Sequence, residues 1–281
     1  MYNFSALSSS NFRIYILATF FSTNGFWIQK VLLAWLSWEL TKSPTFLGFA
    51  IFFTFLPTII LGPLFGVFVD KANIKIAAFL TFFSMFFISI ALLISSISNT
   101  LNPLTLIIFC LLIGVTSSAN HPIRLSLGPR LVNRKNQFSS VVAFSSTNFN
   151  LSRLLGPVIG GFIINFYGIN SCILISSFCY LPALIIIPLL TPRSIENLSI
   201  ENSSIYKEFI EGMKYILKDK LIVLSLFISS ITSFFGRSVL ETLPIISEGI
   251  FQRGPSGLGL LTSSAGIGAL IASFLKIVLL K

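Results

Sequence analysis

Eight long apolar runs divide this chain of 281 residues. Each run has roughly the twenty residues that a helix needs to cross the hydrocarbon core of a bilayer. A helix satisfies its own backbone hydrogen bonds, so it is the natural way for such runs to cross lipid. The pattern predicts an all-α integral membrane protein with spans at residues 11–38, 45–69, 74–97, 102–123, 138–166, 171–190, 221–246 and 255–280.

The composition supports a lipid environment. Hydrophobic residues make up 54% of the chain and charged residues only 10%, against about 25% charged residues in an ordinary soluble domain. The net charge of +10 comes from short basic clusters between the apolar runs, which argues for membrane topology and against a nucleic-acid partner. The three cysteines lie inside apolar runs without metal-binding spacing, and no nucleotide loop is present, so no metal or cofactor is expected.

The distribution of lysine and arginine predicts the orientation, because basic loops stay in the cytoplasm. If the amino terminus is cytoplasmic, the opposite side has only Lys42 and Arg253 in loops, while Lys30, Arg153 and Arg237 lie within spans. The asymmetry predicts a multi-pass protein of the cell (inner) membrane with a cytoplasmic amino terminus. The basic residues expected on the cytoplasmic side are Arg13, Lys71, Lys75, Arg124, Arg130, Arg134, Lys135, Arg193, Lys207, Lys214, Lys218, Lys220, Lys276 and Lys281.

One long connection separates six spans from the last two. It contains Ile205, Phe209, Met213 and Ile216 at helical spacing, with charged residues on the other faces. We expect an amphipathic helix that lies along the cytoplasmic membrane surface. The predicted organisation is a six-helix bundle, a cytoplasmic linker and a partial second bundle of two helices, at residues 1–190, 191–220 and 221–281.

A first motif lies between the second and third spans. Gly62 and Gly66 share one helical face and Asp70, Lys71 and Lys75 follow them. This resembles the cytoplasmic gating-loop signature of the major facilitator superfamily, although Asn73 and Ile74 replace a glycine and an arginine of that signature. The resemblance implies a latch between two halves of a transporter, in which Arg124 contacts Asp70. The alternative interpretation is a charged turn that only sets topology.

A second motif lies in the fifth span. Arg153, Gly156, Pro157, Gly160 and Gly161 resemble the glycine-proline signature of the antiporter and exporter branches of the same superfamily. Pro157 removes a backbone hydrogen bond and bends a helix, and the glycines allow another helix to approach closely. The resemblance implies a barrier against leak; a general small-residue packing face is the alternative for Gly156 and Gly160.

Five ionisable residues inside or next to spans are candidates for a cavity or for ion coupling. Arg153 is expected to face a central cavity, because an arginine in lipid costs at least about 2.5 kcal/mol; the alternative is that it reaches the cytoplasmic headgroups. Lys30 and Glu39 are placed on the first span, where Glu39 is equally consistent with an interfacial anchor. Arg237 and Glu241 are four residues apart, and we favour pairing between them over a direct transport role.

The collinear order of these features resembles the major facilitator exporter subfamily that includes the enterobactin exporter. The resemblance implies a complete amino-terminal six-helix bundle plus the first two helices of a second bundle, where the family has twelve helices. It also implies ion-gradient-driven efflux of a small molecule by alternating access, with protons as the candidate coupling ion, and not an enzyme. The alternative is a truncated, non-transporting remnant, or one part of a split transporter whose four further helices come from a separate chain.

Overall fold

The computed structural model describes residues 4–133, 137–193 and 205–279. The side chains of Asp70, Lys71 and Arg237 lie outside the described part, as do those of residues 205–209, 269–270 and 272–279. The helices are α1 (Ser10–Thr41), α2 (Pro44–Lys71), α3 (Ile74–Ile97), α4 (Pro103–Arg130), α5 (Phe138–Phe178), α6 (Leu181–Ile186), α7 (Ile205–Lys218), α8 (Lys220–Glu241), α9 (Leu243–Ile245) and α10 (Gly254–Leu279).

Five helical stretches of the described chain are long and apolar enough to cross a membrane. They cover six of the eight predicted runs and span Pro44–Val69, Ile74–Ile97, Pro103–Arg130, Phe138–Leu189 and Lys220–Ile250. Helix α1 falls outside this set although it has 32 residues, and its sequence includes the polar Asn24, Gln29 and Lys30. The structure confirms the predicted all-α class with membrane-length helices.

Polar caps explain why several helices begin where they do. The side chains of Ser9 and Ser43 accept hydrogen bonds from backbone N–H groups in the first turns of α1 and α2. Asn73 does the same for α3, and Asn102 forms a reciprocal capping box at the start of α4. Such caps satisfy donors that the first turn of a helix leaves unpaired.

The fifth and sixth predicted runs belong to one long helical segment that is kinked at Gly168. This glycine has φ 82° and ψ 172°, a backbone conformation that essentially only glycine adopts. The break lies between the two runs predicted at 138–166 and 171–190, so one chain segment supplies two differently directed helical arms.

Replacing Gly168 with alanine is expected to destabilise the protein by about 1–3 kcal/mol, because a Cβ strains this conformation. Space is not the reason, since no described atom lies within 4 Å of the added Cβ. Gly48→Ala is the matched control, because it too has open space but sits in regular helix, where alanine is preferred to glycine. Equal melting temperatures for the two variants in detergent would contradict the assignment of strain.

Helix α1 organises the packing. It lies along α5 and contacts α6, while α2 packs on α4 and α10 packs along the other side of α5. One hydrophobic cluster surrounds the first half of α1 with Phe12 and Tyr15, and a second surrounds its last third with Leu32 and Leu36. Between these clusters α1 buries four polar residues, Thr19, Ser22, Thr23 and Asn24, and this polar segment positions the site.

The polar segment of α1 is held against α5 by side-chain amides. Asn24 Nδ2 donates to Ser152 Oγ at 3.0 Å, and Asn148 Nδ2 donates to Thr19 Oγ1 at 3.1 Å. All four residues are buried. Buried polar groups of this kind need partners, so these contacts fix the rotation of α1 relative to α5.

Candidate functional site

Two cavities lie next to each other along the middle of α1. Cavity A, of about 310 Å³, lies between α1, α2, α3, α4 and α5 and is mostly apolar. Its polar lining groups are Ser22, Thr23, Lys30, Thr54, Thr58, Ser117, Asn120, His121 and Arg124. Cavity B, of about 290 Å³, lies between α1, α5, α8, α9 and α10 and is lined on its polar side by Lys30, Arg153, Ser233, Glu241 and Thr262. Both volumes are at the small end of the range of small-molecule sites.

Three residues line both cavities, namely Trp27, Lys30 and Phe149. The rings of Trp27 and Phe149 meet edge to face, with centroids 5.7 Å apart and an angle of 67° between planes. This geometry is favourable for aromatic pairs. We call these three residues the shared wall, because they line both cavities.

An ion pair links the shared wall to the last third of the chain. Lys30 Nζ lies 2.8 Å from Glu241 Oε1, and the two side chains are 25% and 14% exposed. Lys30 Nζ is also 5.3 Å from the ring centroids of Trp27 and Phe55, within cation–π range. The pair therefore joins α1 to the end of α8 in a largely dehydrated position.

The sequence favoured a different partner for Glu241. Arg237 is four residues away on the same helix, but its side chain lies outside the described part, so that pairing stays a prediction. Lys30 is 211 positions away, and helical spacing carries no information on such a contact. Lys30 and Glu241 were both singled out from the sequence, but not as a pair.

Two arginines occupy the cavities without an acidic partner among the described side chains. The guanidinium carbon of Arg153 is 5.8 Å from the Trp27 ring centroid, and that of Arg124 is 5.7 Å from the Phe149 centroid. The ion pair of Lys30 is the salt bridge found in the described part. The contact expected between Arg124 and Asp70 involves a side chain outside that part, so it stays a prediction.

On one face of α5, the glycine-proline segment meets α1. A Cβ on Gly156 would lie 2.5 Å from Trp27 Cβ and 3.3 Å from the Asn24 carbonyl oxygen, so this crossing requires a glycine. A Cβ on Gly160 would be 3.4 Å from Ile28 Cα, which is ordinary contact. Gly156 therefore sets how closely α5 approaches α1 at Trp27, and with it the position of Trp27 in the shared wall.

On the other face of α5, the segment meets α10. The α carbon of Gly259 lies 3.1 Å from the position of a Cβ on Gly161, and a Cβ on Gly259 would be 2.5 Å from the Pro157 carbonyl oxygen. The motif is thus a double crossing point that holds α1, α5 and α10 together. This packing is what the structure shows; a barrier against leak stays a prediction.

The first motif has no such close packing in the described chain. A Cβ on Gly62 would meet only Thr58 of its own helix at 4.0 Å, and no described atom lies within 4 Å of one on Gly66. Lys75 lies in the first turn of α3, and the side chains of Asp70 and Lys71 lie outside the described part. The close helix approach that these glycines permit is therefore not used by the described residues.

Glu39 lies apart from both cavities. It is exposed near the end of α1 and borders a shallow pocket with Asn99, Tyr167 and Gly168. Phe149, in contrast, was not singled out from the sequence, although it completes the shared wall. It is one of 30 phenylalanines, and no spacing distinguishes a wall residue from a lipid-facing one.

Comparison with known proteins identifies related sequences. Residues 1–280 match the family of the major facilitator superfamily described as transmembrane secretion effector. Over 274 residues the chain is 25% identical to the "Staphyloferrin A transporter" of Staphylococcus aureus (strain NCTC 8325 / PS 47), an alignment that covers 96% of this chain and 67% of that protein. The superfamily predicted from the two motifs is therefore confirmed, and the chain belongs to the transmembrane secretion effector family of the major facilitator superfamily.

Proposed function

We propose that this chain exports a small molecule across the cell membrane by alternating access, driven by the proton gradient. Membership of a family of membrane transporters supports transport itself. The direction, the energy source and the mechanism are the proposal. The observation that carries it is the ion pair between Lys30 and Glu241, which bridges α1 and α8 beside both cavities.

The ion pair suits a site that opens and closes. Alternating access requires the helices around a central site to separate on one side at a time, and a bridge from α1 to α8 opposes that separation. Protonation of Glu241 removes its charge and weakens the bridge. Because both side chains are largely buried, the lost attraction is less screened than it would be at a surface. Proton uptake would thus favour the state in which α8 moves away from α1.

The proposal includes a topology and a division into units. We place the amino terminus in the cytoplasm, with residues 1–190 as one bundle and residues 221–281 as part of a second one. In this arrangement α7 lies along the cytoplasmic surface, with Met213, Tyr215 and Leu217 exposed on the described part of the helix. The charge asymmetry between loops supports the orientation.

A second candidate is that the chain transports together with a separate chain that supplies further helices. The observation favouring it is the exposure of α8. In the stretch Lys220–Ile250, which contains this helix, the most apolar part has no buried residue. This helix has exposed serines and threonines around it, among them Ser225, Ser229 and Thr232. Polar residues in membrane helices usually face other helices. A requirement for a partner chain in the transport assay below would select this candidate.

The transport assay uses inside-out proteoliposomes with an imposed proton gradient, acidic inside, and labelled staphyloferrin A as the first probe. We expect uphill accumulation that a protonophore abolishes, and we expect Glu241→Gln to lose at least about 90% of it while keeping passive exchange, because gradient-driven uptake needs a titrating group. Glu39→Gln is the matched control, because Glu39 is exposed and borders neither cavity. Accumulation that survives the protonophore, or an unaffected Glu241→Gln variant, would contradict proton coupling.

A further inference from the structure

The shared wall connects three cations through aromatic rings. Lys30 and Arg153 both lie over Trp27, and Arg124 lies over Phe149, which packs edge to face on Trp27. Arg124 opens into cavity A, Arg153 into cavity B and Lys30 into both. Three positive groups thus form one continuous cluster around the two cavities; we call it the cation–aromatic cluster.

The charge of this cluster is not balanced by the described residues. Among the side chains that line the two cavities, Glu241 is the acidic one, and it pairs with Lys30. Aromatic faces attract a cation but leave its hydrogen-bond donors unused. A guanidinium has five such donors in a planar fork that matches a carboxylate. Arg153 therefore keeps the capacity to bind anions, and Arg124 keeps it in the state in which the predicted contact with Asp70 is open.

We propose that the cation–aromatic cluster binds a small polyanion, a polycarboxylate with an apolar or aromatic body, with one acidic group at Arg124 and another at Arg153. This inference rests on the proposed function and names the substrate class for it. The apolar body lies on the rings of Trp27 and Phe149, while the carboxylates take the guanidinium groups on either side. Cationic molecules are disfavoured by the same charges.

Lys30 then has two competing anionic partners. A ligand carboxylate that reaches the shared wall meets Lys30 Nζ, which Glu241 Oε1 occupies at 2.8 Å in this structure. Ligand binding therefore draws Lys30 from Glu241. The released carboxylate stays in a largely buried position between α1 and α8. Binding of the polyanion and opening of the Lys30–Glu241 ion pair are in this way linked events.

The test measures binding, independently of transport. The full chain in nanodiscs of uncharged phosphatidylcholine is titrated by calorimetry with trimellitate, which is a benzene ring with three carboxylates, with its neutral trimethyl ester, and with benzyltrimethylammonium. We expect trimellitate to bind roughly tenfold or more tightly than either of the others, because charge-assisted hydrogen bonds are lost in both.

Two variants locate the anion site. Arg124→Gln and Arg153→Gln are each expected to weaken trimellitate binding roughly tenfold and to leave ester binding unchanged, since they remove a charge and keep much of the side-chain volume. Arg13→Gln is the matched control, because Arg13 is exposed on α1 and lines neither cavity. A melting temperature within a few degrees of the parent shows that each variant is folded.

The inference is overturned if the ester or the cation binds as well as trimellitate, if none of the three binds, or if the two cavity variants behave like Arg13→Gln. Trimellitate binding with an inactive transport assay overturns the proposed function and leaves the anion site standing. Proton-driven export without selective trimellitate binding overturns the anion site and leaves the proposed function standing. The two failures are therefore distinguishable.

Discussion

Gly156→Ala is expected to destabilise the protein by about 1–3 kcal/mol and to reduce transport more than tenfold, because the new methyl overpacks a helix crossing. A Cβ there would lie 2.5 Å from Trp27 Cβ and 3.3 Å from the Asn24 carbonyl oxygen. The backbone of α1 or α5 must shift, and Trp27 shifts with it. Unfolding can be followed with a thiol-reactive dye, since Cys110 and Cys172 are buried in the folded state.

The control for this prediction is Gly160→Ala, one turn further along the same helix. Its Cβ would lie 3.4 Å from Ile28 Cα, which is ordinary contact, and alanine has the higher helix propensity by about 1 kcal/mol. We expect equal or greater stability and nearly unchanged transport. If the two variants lose the same stability, the depth of the α1–α5 crossing at Gly156 is not what the glycine provides.

The second large effect is expected at the ion pair. Lys30→Glu and Glu241→Lys each place two like charges in a largely buried position, and we expect each to lose transport and to melt well below the parent. The exchanged double variant restores opposite charges, so it is expected to recover about 1–2 kcal/mol of stability relative to the sum of the singles. Its proton-driven transport is expected to stay low, because the acid now sits on α1.

Lys42→Gln provides the comparison for a lysine on a tryptophan. Lys42 Nζ lies 5.9 Å from the Trp38 ring centroid, beyond the end of α1 and away from both cavities. We expect it to be silent, in contrast to Lys30→Glu. No recovery of stability in the exchanged variant would refute the ion pair, whereas full recovery of proton-driven transport would refute Glu241 as the titrating group.

Much of the fold can be predicted from local features of the sequence. Apolar run length is set by bilayer thickness, so the helices lie close to the predicted runs, and the break at Gly168 falls where two runs were separated. Caps such as Ser43 and Asn102 are local signals as well. The family was predicted from motifs that are contiguous in sequence, and the match over residues 1–280 confirms it.

The site is less accessible to sequence reasoning because it depends on contacts between distant helices. Lys30 meets Glu241 only because α8 ends beside α1. Phe149 joins Trp27 only because Gly156 lets α5 approach. In an apolar sequence, wall residues and lipid-facing residues are drawn from the same few amino acids. The sequence marks these glycines as packing positions, but it does not identify the helix that each of them meets.

The double crossing on α5 has a consequence for how the protein is made. When the helix carrying Gly156 enters the membrane, its α1 partner has already been synthesised. Gly161 must wait for Gly259, which is 98 positions downstream; at about 5–20 residues per second this takes roughly 5–20 s. During that interval this face of α5 has no α10 to pack against. Helix α10 therefore packs onto a glycine groove that α5 already presents.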